Sequence, residues 1–468
     1  MSTRAVSAAL FLLALVNCAY VAQIWGANQE SRLSLMYAMI VDHTLDIDDR
    51  EVLNIDKAEF NGHFYSDKAP AVTFLALPAG IVGHLTANAL RLPVLWGAGG
   101  TIVTWIARTG SAGLLAALGT VAMWLLLLET LGRKTAAAAA LALMLGTLQL
   151  PYSTQLFSHA LTMGLLSISL LLLHAARPAK PKNETLKYAW KRHTMAGTLL
   201  CGGTVAAVLS PAGIGFTVGV TVAMIGALWL LCAAVIRMHG GALAGIDRDL
   251  IAGLACGLAV TGEYVAAVAA AGLFVLAVRN NPRRAVPLVL GALCPLLLFA
   301  KYNWLAFGSP LSIGYQHNGF AWMQAGVLGL SLTFSTDALQ SLLISQTHGL
   351  FFWSPFLLLA LPGYRRLWSR SRPLFWLCLG VPLATLMLLC TMGSPYGGAA
   401  VGPRYLAPAI PFLVLAAAEG LASLPRFGRA LILVSVALTL MATLVDPIVQ
   451  EFQPNPFVYF YLLRLAEA

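Results

Sequence analysis

Apolar residues run through this chain in long blocks, without the period-2 alternation of a half-buried strand. Residues 5–24, 110–132, 213–236, 286–304, 373–392 and 430–447 each approach the roughly 20 apolar residues that span a bilayer. Shorter blocks at 71–88, 135–150, 156–175, 195–209, 347–363 and 405–421 are expected to span as well. Lipid offers no partner to an open backbone amide, so such blocks predict helices. The expectation is an all-α polytopic membrane protein, a bundle of about 12–13 transmembrane helices forming one integral membrane domain over 1–468. Residues 5–24 follow Arg4 in the manner of a secretory leader. Further spans continue to the C-terminus, so an uncleaved first helix is the expectation.

Composition strengthens this picture. Hydrophobic residues make up 59% of the 468 and charged residues 10%, where a soluble domain carries about 25% charged residues. The seven cysteines fall in or beside apolar blocks with no CxxC pair, as small packing residues do. The net charge of +10 is explained by topology and calls for no nucleic-acid partner. Basic residues gather at Arg133-Lys134, 177–192, Arg279–Arg284, Arg365–Arg372 and Arg426–Arg429, which the positive-inside rule places in the cytoplasm together with the N-terminus. The other side then receives the first external loop 26–70, residues 151–158, the tip near 261–264, a second large loop 305–346, 391–407 and the C-terminal tail. With 5–24 ending outside and Arg133 inside, 71–132 must cross an odd number of times. Either 71–88 only dips into the membrane or the Gly-rich 93–107 also crosses.

The first external loop concentrates charge. It carries Glu30, Asp42, Asp46, Asp48, Asp49, Glu51, Asp56, Glu59 and Asp67, out of 19 acidic residues in the chain. Leu33, Met36, Tyr37 and Ile40 recur at helical spacing between Arg32 and Asp42, predicting a helix that lies on the membrane. Phe60 to Tyr65, with Asn61-Gly62 at its centre, predicts a turn between short extended pieces. Most of these acids suit a solvated loop. Asp67-Lys68 differs, because it abuts an apolar block, where charge is costly and usually functional. Asp46-Ile47-Asp48 matches the DxD pattern of nucleotide-sugar enzymes, but such donors are cytoplasmic and this loop is not.

Other polar groups share that side. Residues 151–159 end in His159, either an interfacial residue or a substrate contact. Thr261-Gly262-Glu263-Tyr264 tips a helical hairpin, and Glu263 there is either functional or bonded to a neighbouring helix. Gly308-Ser309-Pro310, Gly314-Tyr315-Gln316-His317 and 393–405 predict irregular backbone around a cavity. Arg404 is placed to hold an anion or to serve as an ordinary interfacial arginine.

Tyr65-Ser66-Asp67-Lys68-Ala69-Pro70 resembles a signature of GT-C superfamily membrane glycosyltransferases, in the phospholipid-carrier-dependent branch related to protein O-mannosyltransferases and lipid A aminoarabinose transferase. Thr261–Tyr264, Asn303–Pro310 and Gly402-Pro403-Arg404-Tyr405 look similar to bacterial members. The resemblance implies a helical bundle with an external cavity in the inner (plasma) membrane. It implies inverting transfer of a sugar from a polyprenyl-phosphate donor to a glycan, lipid or protein acceptor of the envelope. It also implies that Lys68 and Arg32 contact the donor phosphate, and Arg404, at the mouth of a helix, is expected to join them there. His159, Glu263, Tyr264, Tyr315 and Tyr405 would line the substrate site. The base would be an acid of the first loop: Asp67 first, for its place beside Lys68, then Asp56, then Glu30. Members of the superfamily often carry Asp or Asp-Glu just after the first helix, where this chain has Asn28-Gln29-Glu30-Ser31-Arg32. The run 195–236 looks like additional helices relative to the family pattern. A lysine neighbour is expected to lower the pKa of Asp67 and weaken it as a base.

The chemistry is self-consistent. A leaving phosphate needs fixed positive charge, which Lys and Arg supply, and an acceptor hydroxyl needs a carboxylate within reach. A monophosphate demands no divalent metal, and no cofactor is implied. A secondary transporter is the main alternative, although no internal repeat of the kind such folds use is present. A non-catalytic subunit of an envelope-assembly complex is the third reading.

Overall fold

The computed structural model describes residues 2–20, 26–53, 55–93, 97–174, 183–238, 243, 245–320, 331, 333–448, 456–462 and 464. Part of the basic segment 177–192 therefore lies outside the described residues. The helices are α1 (Thr3–Tyr20), α2 (Ala27–Tyr37), α3 (Ala71–Ala89), α4 (Gly97–Arg108), α5 (Leu114–Leu131), α6 (Arg133–Leu145), α7 (Gln149–Ser153), α8 (Ser158–His174), α9 (Asn183–Leu209) and α10 (Ile214–Met238). They continue as α11 (Gly245–Gly262), α12 (Ala266–Asn280), α13 (Ala285–Phe307), α14 (Thr336–Ile344), α15 (Leu350–Trp353), α16 (Ala360–Arg370), α17 (Arg372–Leu389), α18 (Ile410–Ser423) and α19 (Pro425–Val445). A single hairpin, β1 (Lys57–Phe60) and β2 (His63–Ser66), interrupts them.

This is an all-α polytopic membrane protein. Among the described residues eight helical stretches are long and apolar enough to cross a membrane, and α8, 194–209 and 266–279 are shorter apolar helices. Helices α6 and α11 start with charged turns, Arg133-Lys134 and Asp247-Arg248-Asp249, and continue into apolar sequence. One contiguous buried core runs from Leu10 to Tyr461. Hydroxyls inside the helices are satisfied without leaving them: Thr120, Ser167, Ser169, Thr204, Thr385 and Thr439 each donate to the carbonyl four residues back, as an apolar surround requires.

Segment 71–132 resolves in an instructive way. A π-type turn, Thr109–Gly113, joins α4 to α5, and Gly100–Leu131 reads as one apolar helix of 32 residues. At 1.5 Å per residue such a helix is roughly 48 Å long, well beyond the ~30 Å hydrocarbon core. Gly83 and Ala79 of α3 pack against Val103 and Gly110 on its first half. The remainder runs beside α1, where Gly113 meets Cys18 and Trp124 Nε1 donates to Ser7 Oγ at 3.1 Å. Ala71–Ala89 is itself long and apolar enough to cross a membrane, so α3 packs along this helix as a second candidate span.

The expected surface helix differs. Helix α2 exists, but it is buried on nearly its whole circumference, from Asn28 and Gln29 through Arg32, Leu35 and Tyr37. Amphipathic spacing cannot distinguish a membrane surface from a protein cover, and here other parts of the chain supply the cover: Thr73 of α3 donates to Arg32 O at 3.2 Å, and Leu156 N donates to Gln29 Oε1 at 2.7 Å. The predicted turn is present: Asn61 (φ 53°) and Gly62 (φ 82°) occupy the left-handed region, as a two-residue hairpin loop demands.

Candidate functional site: a charged cavity at one end of the bundle

The hairpin's register builds the site. Lys57 pairs with Ser66 as its last rung, so the residues just beyond, Asp56 and Asp67, emerge side by side. Lys68 Nζ bridges them, 2.9 Å from Asp56 Oδ2 and 3.1 Å from Asp67 Oδ2. Asp67 is fully buried. Its Oδ1 accepts from Ser31 Oγ at 3.4 Å, and its Oδ2 also accepts from Asn318 Nδ2 at 3.4 Å. Asp56 is less enclosed, with 14% of its side chain exposed.

Burial raises the Asp67 carboxyl above its usual range, against the pull of Lys68 and with the help of Asp56. The expectation that Lys68 lowers Asp67 is thereby corrected: desolvation of a fully enclosed carboxyl outweighs the adjacent charge. Burial also acts to lower Lys68, but Asp67 and Asp56 outweigh it and hold the ammonium above its ordinary value.

These groups line a cavity of about 440 Å³, shared with Asn28, Phe157, Tyr315, Arg404 and Tyr405. Arg404 comes from the irregular segment after α17, where Gly397, Gly398 and Gly402 all have positive φ. A Cβ on Gly397 would stand 2.6 Å from Arg404 Nε, so the missing side chain makes room for the guanidinium. Gly314 does the same for the carboxylate side, since its Cβ would lie 2.7 Å from Asp67 Cα. Arg404 Cζ sits 5.7 Å from the ring centre of Phe157 and 5.6 Å from that of Tyr405, and Lys68 Nζ lies 5.3 Å from that of Tyr315. Among the described residues neither Arg404 nor Arg32 forms an ion pair with a carboxylate, and the Nε of each is buried without a hydrogen-bond partner.

Asp56, Asp67, Lys68, Tyr315, Arg404 and Tyr405 thus share the cavity wall. Behind it lies a second layer. Glu263 accepts from Ser158 Oγ at 2.6 Å, with His159 Nδ1 3.4 Å away. The His159 ring meets Tyr405 edge-on at 6.2 Å, and Tyr264 meets Tyr315 edge-on at 5.9 Å. Arg32 belongs to this layer, its Nη1 donating to Asn28 O at 3.1 Å. Glu30 does not. Helical phase turns it to the side of α2 opposite Asn28 and Arg32, in the field of Tyr37, and burial pushes its carboxyl up to about 7. The DxD acid Asp48 braces the loop, accepting from Phe64 N at 2.6 Å and lying 2.7 Å from His63 Nδ1.

Asn318, Ser31 and Ser158 are polar partners that sequence reasoning passed over. Asn318 and Asp67 stand 251 positions apart, which leaves no local signal, whereas Ser31 beside Arg32 and Ser66 beside Asp67 were visible neighbours of the motifs.

The fold and this cavity define a multi-pass membrane protein that gathers paired acids and unpaired guanidinium groups at one end. The chain is similar to the oligosaccharyltransferase of Archaeoglobus fulgidus tethered with an acceptor peptide: TM-score 0.46 at 14% identity, covering 94% of this chain and 54% of that one. It is also similar to the archaeal oligosaccharyltransferase AglB of Archaeoglobus fulgidus in complex with an inhibitory peptide and a dolichol-phosphate: TM-score 0.45 at 12% identity, covering 95% of this chain and 56% of that one. The chain spans about half the length of these solved structures. No family model matches the chain, and no curated protein matches it.

Proposed function

We propose that this protein is a GT-C membrane glycosyltransferase that moves a sugar, with inversion, from a polyprenyl-phosphate donor to an envelope acceptor at the external face of the inner (plasma) membrane. One observation carries the reading: Arg404 is buried on the wall of the cavity that Lys68 also lines, and among the described residues no carboxylate is in ion-pair contact with it. A buried guanidinium is expensive without an anion, and its fork fits phosphate. The basic clusters at the other end of the bundle support the external placement of the cavity.

In this reading Arg404 and Lys68 hold the donor phosphate, and Arg32 adds positive field from behind. Asp56 is the general base, ahead of Asp67, because it faces the cavity with only Oδ2 in an ion pair, while both oxygens of Asp67 are engaged. Asp56 takes the acceptor hydroxyl's proton as that oxygen bonds to the anomeric carbon. The bond from that carbon to the phosphate oxygen breaks, and its electron pair leaves with the phosphate, whose growing charge Arg404 and Lys68 stabilise. Asp67 keeps Lys68 in place.

The test is titration of purified protein with polyprenyl phosphate. Arg404→Ala and Lys68→Ala each lose a hydrogen bond to a charged group, roughly ten- to a hundredfold in affinity. Lys68→Ala also strands the buried Asp67, so its affinity is read on the fraction that circular dichroism shows folded. Wild-type affinity in both variants overturns the assignment. Dissipation of a solute gradient in liposomes, with no turnover of any sugar donor, replaces it with the transporter reading.

A further inference from the structure

A second cavity, of about 680 Å³, adjoins the charged one. One wall is the hairpin and the other is the segment Gln316–Phe320, joined by an antiparallel bridge between Ala58 and Asn318. The two cavities share Ile55, Asn318 and Phe320. Strand alternation sorts the residues between them. Asp56 and Ala58 turn inward, Asp56 to Lys68 and Ala58 into full burial. Lys57 and Glu59 turn to the cleft. Glu59, Asn61, Gln316 and Gly319 are exposed to solvent.

The chemistry of this cleft differs from that of its neighbour. It offers a carboxylate (Glu59), an ammonium (Lys57, 4.3 Å from the ring centre of Phe64), amides (Asn61, Gln316) and an imidazole (His317), with the rings of Phe64 and Phe320 among them. Hydroxyl groups donate to the carboxylate and accept from the amides, while aromatic rings give apolar faces for C–H groups. Among the described residues that line it, the cleft has neither the excess of cations that a polyanion needs nor the continuous apolar wall that an acyl chain needs.

We propose that this cleft binds the acceptor and that the acceptor is a glycan chain arriving from the aqueous side, its terminal hydroxyl passing Asn318 to reach Asp56. The inference rests on the glycosyltransferase reading and deepens it. Donor and acceptor enter by separate openings that meet at Asn318, and the acid on the dividing wall is the one placed to take the proton.

The test is binding of the purified full-length protein to an array of defined oligosaccharides, from tetramers to octamers, beside arrays of peptides and of lipids. The expected result is retention of at least one oligosaccharide. Glu59→Ala and Gln316→Ala weaken it roughly tenfold or more. Arg404→Ala, in the other cavity, keeps it. Glu59 and Gln316 are exposed, and Gln316→Ala gives up only the Oε1 acceptor of Ile313 N at 3.0 Å; a matched thermal melt checks that the fold is kept. Exclusive binding of peptides or lipids, a blank oligosaccharide array, or loss of binding only in Arg404→Ala overturns the proposal. Polyprenyl-phosphate titration in parallel separates the two claims. A blank array with Arg404-dependent polyprenyl phosphate binding removes the glycan cleft and leaves the glycosyltransferase. Cleft-dependent oligosaccharide binding without polyprenyl phosphate binding removes the donor assignment and leaves a glycan site.

Discussion

Buried charge is treated in opposite ways at the two ends of this bundle. At the basic end Arg284 forks onto Asp249, with Nε to Oδ1 at 2.9 Å and Nη2 to Oδ1 at 2.6 Å. Nearby Glu419 accepts from Arg366 Nε at 3.2 Å and Arg370 Nη1 at 3.0 Å, and Arg370 reaches Thr130 O at 2.8 Å. Both of these buried carboxylates have an arginine. At the cavity end one lysine holds two carboxylates, while two buried arginines hold none. The first arrangement is closed and fixes helices to one another. The second is open: it leaves Arg404 and Arg32 without a carboxylate partner among the described residues, and on the proposed function a donor phosphate fills that place.

The largest effect expected from this contrast lies at the closed end. Asp249→Ala strands Arg284 inside the bundle, and breaking a buried pair from one side costs about 3–5 kcal/mol. Thermal unfolding in detergent should show the loss, with polyprenyl phosphate affinity in the surviving folded fraction unchanged. Replacing both partners, Asp249→Leu with Arg284→Met, should recover most of it. A double variant as unstable as the single one would mean that the pair's other contacts, such as Arg284 Nη2 to Leu173 O at 3.5 Å, carry the stability.

At the open end the next largest effect is catalytic. Asp56→Asn keeps the shape and removes the charge, and turnover should fall by roughly a hundredfold or more while donor binding survives. Near-normal turnover in Asp56→Asn together with a collapse in Asp67→Asn would restore Asp67 to the first rank.

Glu30 sharpens the comparison, being a half-buried acid that belongs to neither arrangement. In the fold its carboxyl is raised by burial to about 7, above the ordinary 4.5. Between those values the folded chain binds a proton that the unfolded chain has released, so stability falls as pH rises from about 4.5 to about 7. Glu30→Gln should flatten that part of the melting-temperature profile without altering turnover. A profile identical to wild type would show that Glu30 is not what titrates there.

The sequence made some of this legible and hid the rest for identifiable reasons. Long apolar blocks announce helices because lipid permits little else, and Asn61-Gly62 announces a hairpin because both positions need positive φ. Asp67-Lys68 stood out as charge against a membrane block. The pairing of Asp56 with Asp67 was not legible, because it depends on the register of the rungs between them. Glu30 and Arg32 are two residues apart, yet helical phase sends them to opposite sides. The burial of α2 depends on partners such as Thr73 and Leu156, distant in sequence, and apolar spacing alone looks the same beneath lipid or beneath protein. Glu263 showed the converse: both of its sequence readings named a buried acid, and the bond to Ser158 on α8 decides how it is held.

The smallest expected effect tests whether the closed end is redundant. Glu419 is 3% exposed, but its two arginines are not equally committed: the Arg366 and Arg370 side chains are 47% and 40% exposed, and only Arg370 also caps a carbonyl, that of Thr130. Arg366→Ala leaves Glu419 paired through Arg370, so the buried carboxylate is never stranded. What is lost is one half-exposed ion pair, worth less than about 1 kcal/mol after solvent screening, and thermal unfolding should shift only slightly. Arg370→Ala should cost more, because the Thr130 carbonyl loses its donor at the same time. Removing both arginines isolates Glu419 and should exceed the sum of the single changes, since coupled neighbours are not additive. If Arg366→Ala alone destabilises as strongly as Asp249→Ala, then Arg370 does not neutralise Glu419 by itself, and the basic end has no spare charge.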